Sequence, residues 1–194
     1  MGDLITYRLS DFILFSQTAY YRQFELYNQG IWPLHVVAIV LACVIAYALW
    51  KKPVWAGRLV AAILLVTWLW VAWAFLYLRF YQIHIVANWY ALGFVLQVGL
   101  ITWYGIIQNR FNVFMTSRWR VNVGTGLLFI SLIIYPFIPV ITGRSWLQFE
   151  MFFLAPDPTV LATLAILLLY RTPKVLFLIP TIWMALSGVT LLIM

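Results

Sequence analysis

The chain has 194 residues, 65% of them apolar and only 9% charged, with a formal net charge of +7. A soluble domain of this size cannot enclose so much apolar surface, so lipid is its solvent. The positive charge does not indicate a nucleic-acid partner, because the basic residues fall in short loops between apolar runs, where they report orientation and contact with anionic headgroups.

Residues 1–30 are polar and aromatic by turns. Tyr20, Phe24 and Tyr27 recur at helical spacing, with Arg22, Gln23 and Glu25 on other faces. This predicts an amphipathic helix lying in the outer interface, against the competing reading of a loosely ordered tail. The stretch carries acids and lacks a sustained apolar core, so no cleavable signal is expected and the first span is retained.

Ile31–Trp50 and Leu59–Leu78 contain no Asp, Glu, Lys or Arg, and each reaches the roughly 20 residues that cross about 30 Å of hydrocarbon. Ile85–Ile107, Thr125–Thr142 and Val175–Met194 meet or approach that length. Trp146–Tyr170 is long enough but carries Glu150, Asp157 and two prolines. The expected fold is therefore all-α: six transmembrane helices in one domain over 31–194, the fifth short or broken, with an interfacial segment over 1–30. Pro136, Pro139 and Pro180 each remove a backbone donor and predict kinks in the fourth and sixth spans. Short links at Arg79–His84 and Arg171–Lys174 make their flanking spans antiparallel neighbours. The longer loop Gln108–Gly124 carries Phe111, Phe114, Met115 and Trp119 among its arginines, and is expected to lie on the inner leaflet. Cys43 is the sole cysteine, so no internal disulfide forms.

If the spans alternate, Lys51–Arg58, Gln108–Gly124 and Arg171–Lys174 share one side, with eight basic residues and no acidic one. The other side holds four basic and five acidic residues. The positive-inside rule then places the basic loops in the cytoplasm and both termini outside.

All five carboxylates and both histidines fall on the expected outer side. Asp157, in Ala155-Pro156-Asp157-Pro158-Thr159, is the leading candidate. Asp before Pro is a helix-start signal, and the helix that follows is too short to span. An acid at that depth is paired, protonated or hydrated, and broken helices often carry ion or substrate sites. The pocket expected from sequence is Asp157, Glu150, His35 and His84. Asp157 could instead only cap its helix, or pair with Arg79 or Arg144. Imidazole plus carboxylate also suits a divalent metal, and the two histidines could ligate haem, though their spacing indicates neither. Trp70, Trp73 and Tyr77 share a helical face that reads either as a wall for a ring-shaped ligand such as a quinone or as ordinary aromatic packing. No catalytic motif is present, and no lysine lies inside a span for a Schiff base.

Thr6-Tyr7-Arg8-Leu9-Ser10-Asp11-Phe12, Phe15-Ser16 and Tyr21–Asn28 resemble a bacterial family of small multi-pass inner-membrane proteins classed as a domain of unknown function. Ala155–Thr159, Ala162-Thr163-Leu164 and the stretch from Pro180 to Gly188 extend the likeness. The resemblance implies a helical inner-membrane protein and supplies no activity, cofactor or site role. Three functions stay open: a small transporter or channel-like protein for a cation or small solute, a non-catalytic subunit or homo-oligomer packing against other membrane chains, and a haem or quinone protein.

Overall fold

The computed structural model describes residues 16–82, 84 and 86–193. The Thr6–Phe12 motif, Phe15 and with them the whole first half of the expected interfacial segment lie outside the described residues, as do Ile85 and Met194 at two expected span ends.

The described residues are helical throughout, apart from loops and one isolated antiparallel bridge between Phe114 and Tyr170. Helix α1 (Gln17–Gly30) begins at Ser16, whose side chain accepts the Ala19 amide and so satisfies one orphan donor. Five helices are long and apolar enough to cross a membrane: α2 (Leu34–Lys51), α3 (Ala56–Gln82), α4 (Ala87–Ile107), α5 (Arg118–Ile141) and α7 (Lys174–Ile193). Between the last two lies α6 (Pro156–Leu169), a shorter apolar helix. Its 14 residues reach about 21 Å at roughly 1.5 Å per residue. The irregular stretch expected over Trp146–Tyr170 is thus a tight turn at Trp146–Gln148, an irregular connection and a short helix.

α6 sits at the centre. Nearly every side chain from Pro156 to Tyr170 is buried, whereas α2, α4, α5 and α7 show most of their surface. A helix that is apolar all round belongs in an interior, and α3, α5 and α7 pack against this one. Gly124 lets α5 approach closely, since a Cβ there would stand 3.0 Å from the Ala165 carbonyl and the Leu169 side chain. Ser131 on α5 donates to the Pro158 carbonyl, and Trp68 on α3 donates its indole N–H to Thr163 Oγ1 at 2.8 Å. Outward surfaces carry Val, Ile, Leu and Trp, as a lipid-facing helix requires.

Two ends follow from these contacts. At one, the aromatic face of α1 packs on α3: Phe24 stacks on Phe75 at 4.8 Å and Tyr20 meets Phe80 edge-on at 5.9 Å. The apolar face of α1 therefore lies against protein. At the other end, the basic loop between α4 and α5 is pinned to the bundle. Met115 N–H donates to the Leu169 carbonyl and Arg171 N–H to the Val113 carbonyl. Phe111, expected on the leaflet surface, is fully buried against Tyr170.

Three spanning helices contain wide turns, at Val71–Tyr77, Thr102–Ile107 and Ile130–Ile134. The last runs into a tight turn at Tyr135–Phe137. There the missing N–H groups of Pro136 and Pro139 deprive preceding carbonyls of their ordinary partners, so the register shifts instead of breaking.

The start of α6 differs from the sequence expectation. Ala155, not Asp157, occupies the N-cap, and Pro156 opens the helix. The residue before a proline is pushed into extended backbone, which suits a cap. Thr159 secures the turn above: its hydroxyl donates to the Ala155 carbonyl at 2.7 Å and accepts the Phe153 amide at 3.0 Å. That second bond holds Phe153 at φ +78°, a left-handed conformation that a bulky residue adopts only under constraint. Thr159→Val keeps the shape and removes both bonds. We expect it to lower stability by about 2 kcal/mol, read as an earlier thermal transition in mild detergent, with Thr159→Ser close to wild type.

Candidate functional site

Asp157 lies in the first turn of α6 and is only 2% exposed. Its side chain turns away from its own helix toward two neighbours. Oδ1 accepts the Trp183 indole N–H at 2.7 Å, and Oδ2 accepts the Ser187 hydroxyl at 2.6 Å. The Tyr135 hydroxyl also donates to Oδ2, at 3.1 Å. Trp183 and Ser187 are one helical turn apart on α7, and Tyr135 stands where α5 tightens at Pro136. One carboxylate thus ties α5, α6 and α7 together, with its acceptor sites occupied by protein donors. Neither Arg79 nor Arg144 lies within ion-pair distance of it; among the described residues the ion pair is Arg22–Glu25 on α1. Arg79 lies instead beside Gly30 and Tyr27 at the end of α3.

Glu150 is arranged differently. It lies in the connection between α5 and α6, outside the spanning helices, and is 6% exposed. Its carboxylate makes no hydrogen bond or ion pair among the described residues. It faces a cleft of about 560 Å³ between the start of α1, the end of α5 and the connection. Tyr21, Tyr135, Thr142, Arg144 and Gln148 line the same cleft. Burial pushes the Glu150 carboxyl from an ordinary 4.5 up to about 8; the Asp157 charge adds to the rise and Arg144 opposes it.

Arg144 is held in place from three directions. Its Nε–H donates to Thr142 Oγ1 at 3.0 Å and its backbone N–H to the Pro139 carbonyl at 2.7 Å. The guanidinium carbon sits 3.7 Å above the centre of the Tyr21 ring, a favourable cation–aromatic contact. Nη1 is nevertheless buried with no acceptor.

The two histidines lie elsewhere. His84 borders a cavity of about 40 Å³, room for little more than one or two waters, with Tyr20, Trp183 and Ser187. It is separated from Glu150 by the Asp157 cluster. His35 lies at the head of an apolar groove of about 730 Å³ between α2 and α5. Its Nε2 is 3.4 Å from Asn28 Oδ1, and Asn28 Nδ2 donates to the Leu147 and Phe149 carbonyls. Its ring packs on Phe149 at 5.0 Å. The four residues expected to share one pocket are therefore distributed: Glu150 on the cleft, Asp157 behind it, His84 on a small cavity beyond, His35 on a separate groove. Among the described residues, no group of three or more His, Cys, Asp or Glu is placed to hold a metal ion.

Trp70, Trp73 and Tyr77 share a face, as expected, and line one groove toward α4. Trp70 turns inward, donating its indole N–H to Tyr27 at 2.8 Å and packing on Phe153 at 5.6 Å. Trp73 and Tyr77 are half-exposed and flank a groove toward α4 with Asn88.

The family model of DUF6064, a family of unknown function, matches residues 17–194. The chain belongs to this family. The match takes in the Asp157 cluster and the whole cleft, so the DUF6064 domain and the described structure coincide almost residue for residue. No curated protein and no solved structure matches the chain.

Sequence reasoning identified both carboxylates and Arg144 but missed Tyr135, Trp183 and Ser187. The last two left a faint trace: a polar residue one turn after a tryptophan, on one face of an apolar span. Tyr135 left none, because beside Pro136 and Pro139 its local pattern reports only a backbone kink.

Proposed function

We propose that this member of DUF6064 is a small solute-binding protein of the bacterial inner membrane, with transporter or channel-like function for a cation or small solute. In this reading α6 makes a short sixth crossing with the Glu150 connection above its outer end, the Arg118 loop is cytoplasmic, and both termini and the Glu150 cleft face outward. Eight basic residues on one side support that orientation.

The observation that carries the reading is Glu150. A buried carboxylate is ordinarily paired or hydrogen-bonded, because desolvation without a partner costs several kcal/mol (roughly). Here the side chain is largely buried, opens on a cleft and has no hydrogen-bond or ion-pair partner among the described residues, which suits a cation from outside. Asp157, by contrast, is satisfied by Tyr135, Trp183 and Ser187. It serves as the floor that holds the cleft's helices in register.

Thermal unfolding with Na⁺, K⁺, ammonium and choline tests this. A binding cation should raise the transition temperature, since a ligand at about 100 times its Kd adds roughly 2.7 kcal/mol. Glu150→Gln should abolish the shift; an equal shift in that variant, or no shift from any cation in wild type, would sink the proposal. The pH dependence has a definite sign. Asp157, Arg144, Tyr135, Tyr20 and Tyr21 are the titratable groups around Glu150. A cation competes with its proton, so affinity should climb as pH rises through about 8. Without ligand, the folded chain keeps a proton that the unfolded chain loses above about 4.5, so stability should fall between about 4.5 and 8. Both trends should flatten in Glu150→Gln.

A further inference from the structure

Resting on that reading of the cleft, we infer that its ligand is a zwitterion: a cationic group received by Glu150 and an attached anionic group received by Arg144. The cleft presents both charges, and neither satisfies the other. Glu150 and Arg144 line one space but are farther apart than the 4.0 Å of an ion pair. Among the described residues each lacks a partner: the Glu150 carboxylate opens on the cleft with no donor, and Arg144 has a buried Nη1 without an acceptor. A structural pair would have closed. This one is kept open, because Thr142 and the Tyr21 ring fix the guanidinium before any ligand arrives.

A bare cation would satisfy the carboxylate and leave the arginine unmet. A bare anion would do the reverse and meet the Glu150 charge. A molecule with both groups completes both sets of bonds and leaves the site neutral. Pre-set charges of this kind discriminate strongly, since a buried group left unpaired by the wrong ligand carries the full desolvation penalty. Arginine suits the anionic half, because its planar fork accepts a carboxylate or phosphate through two parallel bonds. The shared chemistry admits two sources, a free amino acid-like solute and an aminophospholipid headgroup.

Isothermal titration calorimetry in phosphatidylglycerol nanodiscs tests the inference. The probes are ω-amino acids of increasing chain length and their ω-amino amides, which keep the ammonium and lose the carboxylate. One amino acid should bind at least tenfold tighter than its amide, and the preferred length reads the gap between Glu150 and Arg144. Arg144→Gln should erase the difference, Arg144→Lys should restore part of it, and Glu150→Gln should abolish binding of the amino acid. Gel filtration confirms that each variant is folded. Amide and amino acid binding equally, with Arg144→Gln unchanged, would overturn the zwitterion and leave a plain cation site. Binding of neither, in discs where cations also fail to stabilise, would remove the cleft as a site altogether. Repeating the titration with phosphatidylethanolamine in the discs separates the sources. Competition by the lipid assigns the zwitterion to the bilayer, and its absence assigns it to solution.

Discussion

Asp157→Ala should unfold far below the wild-type temperature, with a loss on the order of 3 kcal/mol, whereas Asp157→Asn should stay within about 1.5 kcal/mol of wild type. The difference follows from which atoms can reverse their roles. Alanine leaves the Trp183 N–H and the hydroxyls of Ser187 and Tyr135 facing a void. Indole can only donate, so it loses its bond outright. Asparagine keeps a carbonyl oxygen for Trp183 at the Oδ1 position. Its Nδ2 then faces two hydroxyls, and each can rotate to accept where it formerly donated. Hydrogen bonds between membrane helices are often worth under about 1 kcal/mol, so the loss in alanine comes chiefly from abandoned donors and the cavity. Thermal unfolding in mild detergent checks both variants. Equal losses in the two would mean that charge, not donor satisfaction, holds the three helices together.

The second large effect lies at the opposite end. Gly57 on α3 sits under the basic loop, and a Cβ there would stand 1.8 Å from the Phe111 carbonyl oxygen and 2.6 Å from its carbon. No rotamer change relieves a clash with backbone. Gly57→Ala should therefore lift the loop from the bundle, pulling Phe111 out of its buried site and breaking the Val113–Arg171 and Met115–Leu169 bonds. Overpacking generally costs about 1–3 kcal/mol, and we expect the upper part of that range. Trypsin provides a direct reading, because Arg110 and Arg118 flank the segment. Wild type should resist cleavage there, and Gly57→Ala should be cut quickly. Resistance equal to wild type would mean that α3 accommodates the methyl by a shift of its first turn.

What sequence revealed was set by solvent. Charge-free runs such as Ile31–Trp50 announce lipid directly, because an unpaired charge is so costly there. The spacing of Tyr20, Phe24 and Tyr27 announced α1, although not that its aromatic face would meet Phe75 and Phe80. The enclosure of α6 could not be read, since its composition matches that of its neighbours and only its length differs. Phe111 looked like an interfacial aromatic because its flanking arginines dominate the local pattern; the glycine that admits it lies 54 positions earlier. The cleft was half legible. Glu150 and Arg144 stood out as charges beside apolar runs, but their failure to pair depends on Thr142 and Tyr21. His35 and His84 were grouped with them by side alone, and a shared side does not imply a shared cavity.

The burial of α6 bears on how the protein is made. A 14-residue segment carrying an aspartate is too short to commit itself to the bilayer as it leaves the translocation machinery. Its partners Trp183 and Ser187 are synthesised later than Asp157. The carboxylate of α6 therefore lacks two of its donors until α7 is made, and the last helix to be translated completes the bonds to the acid of the one before it.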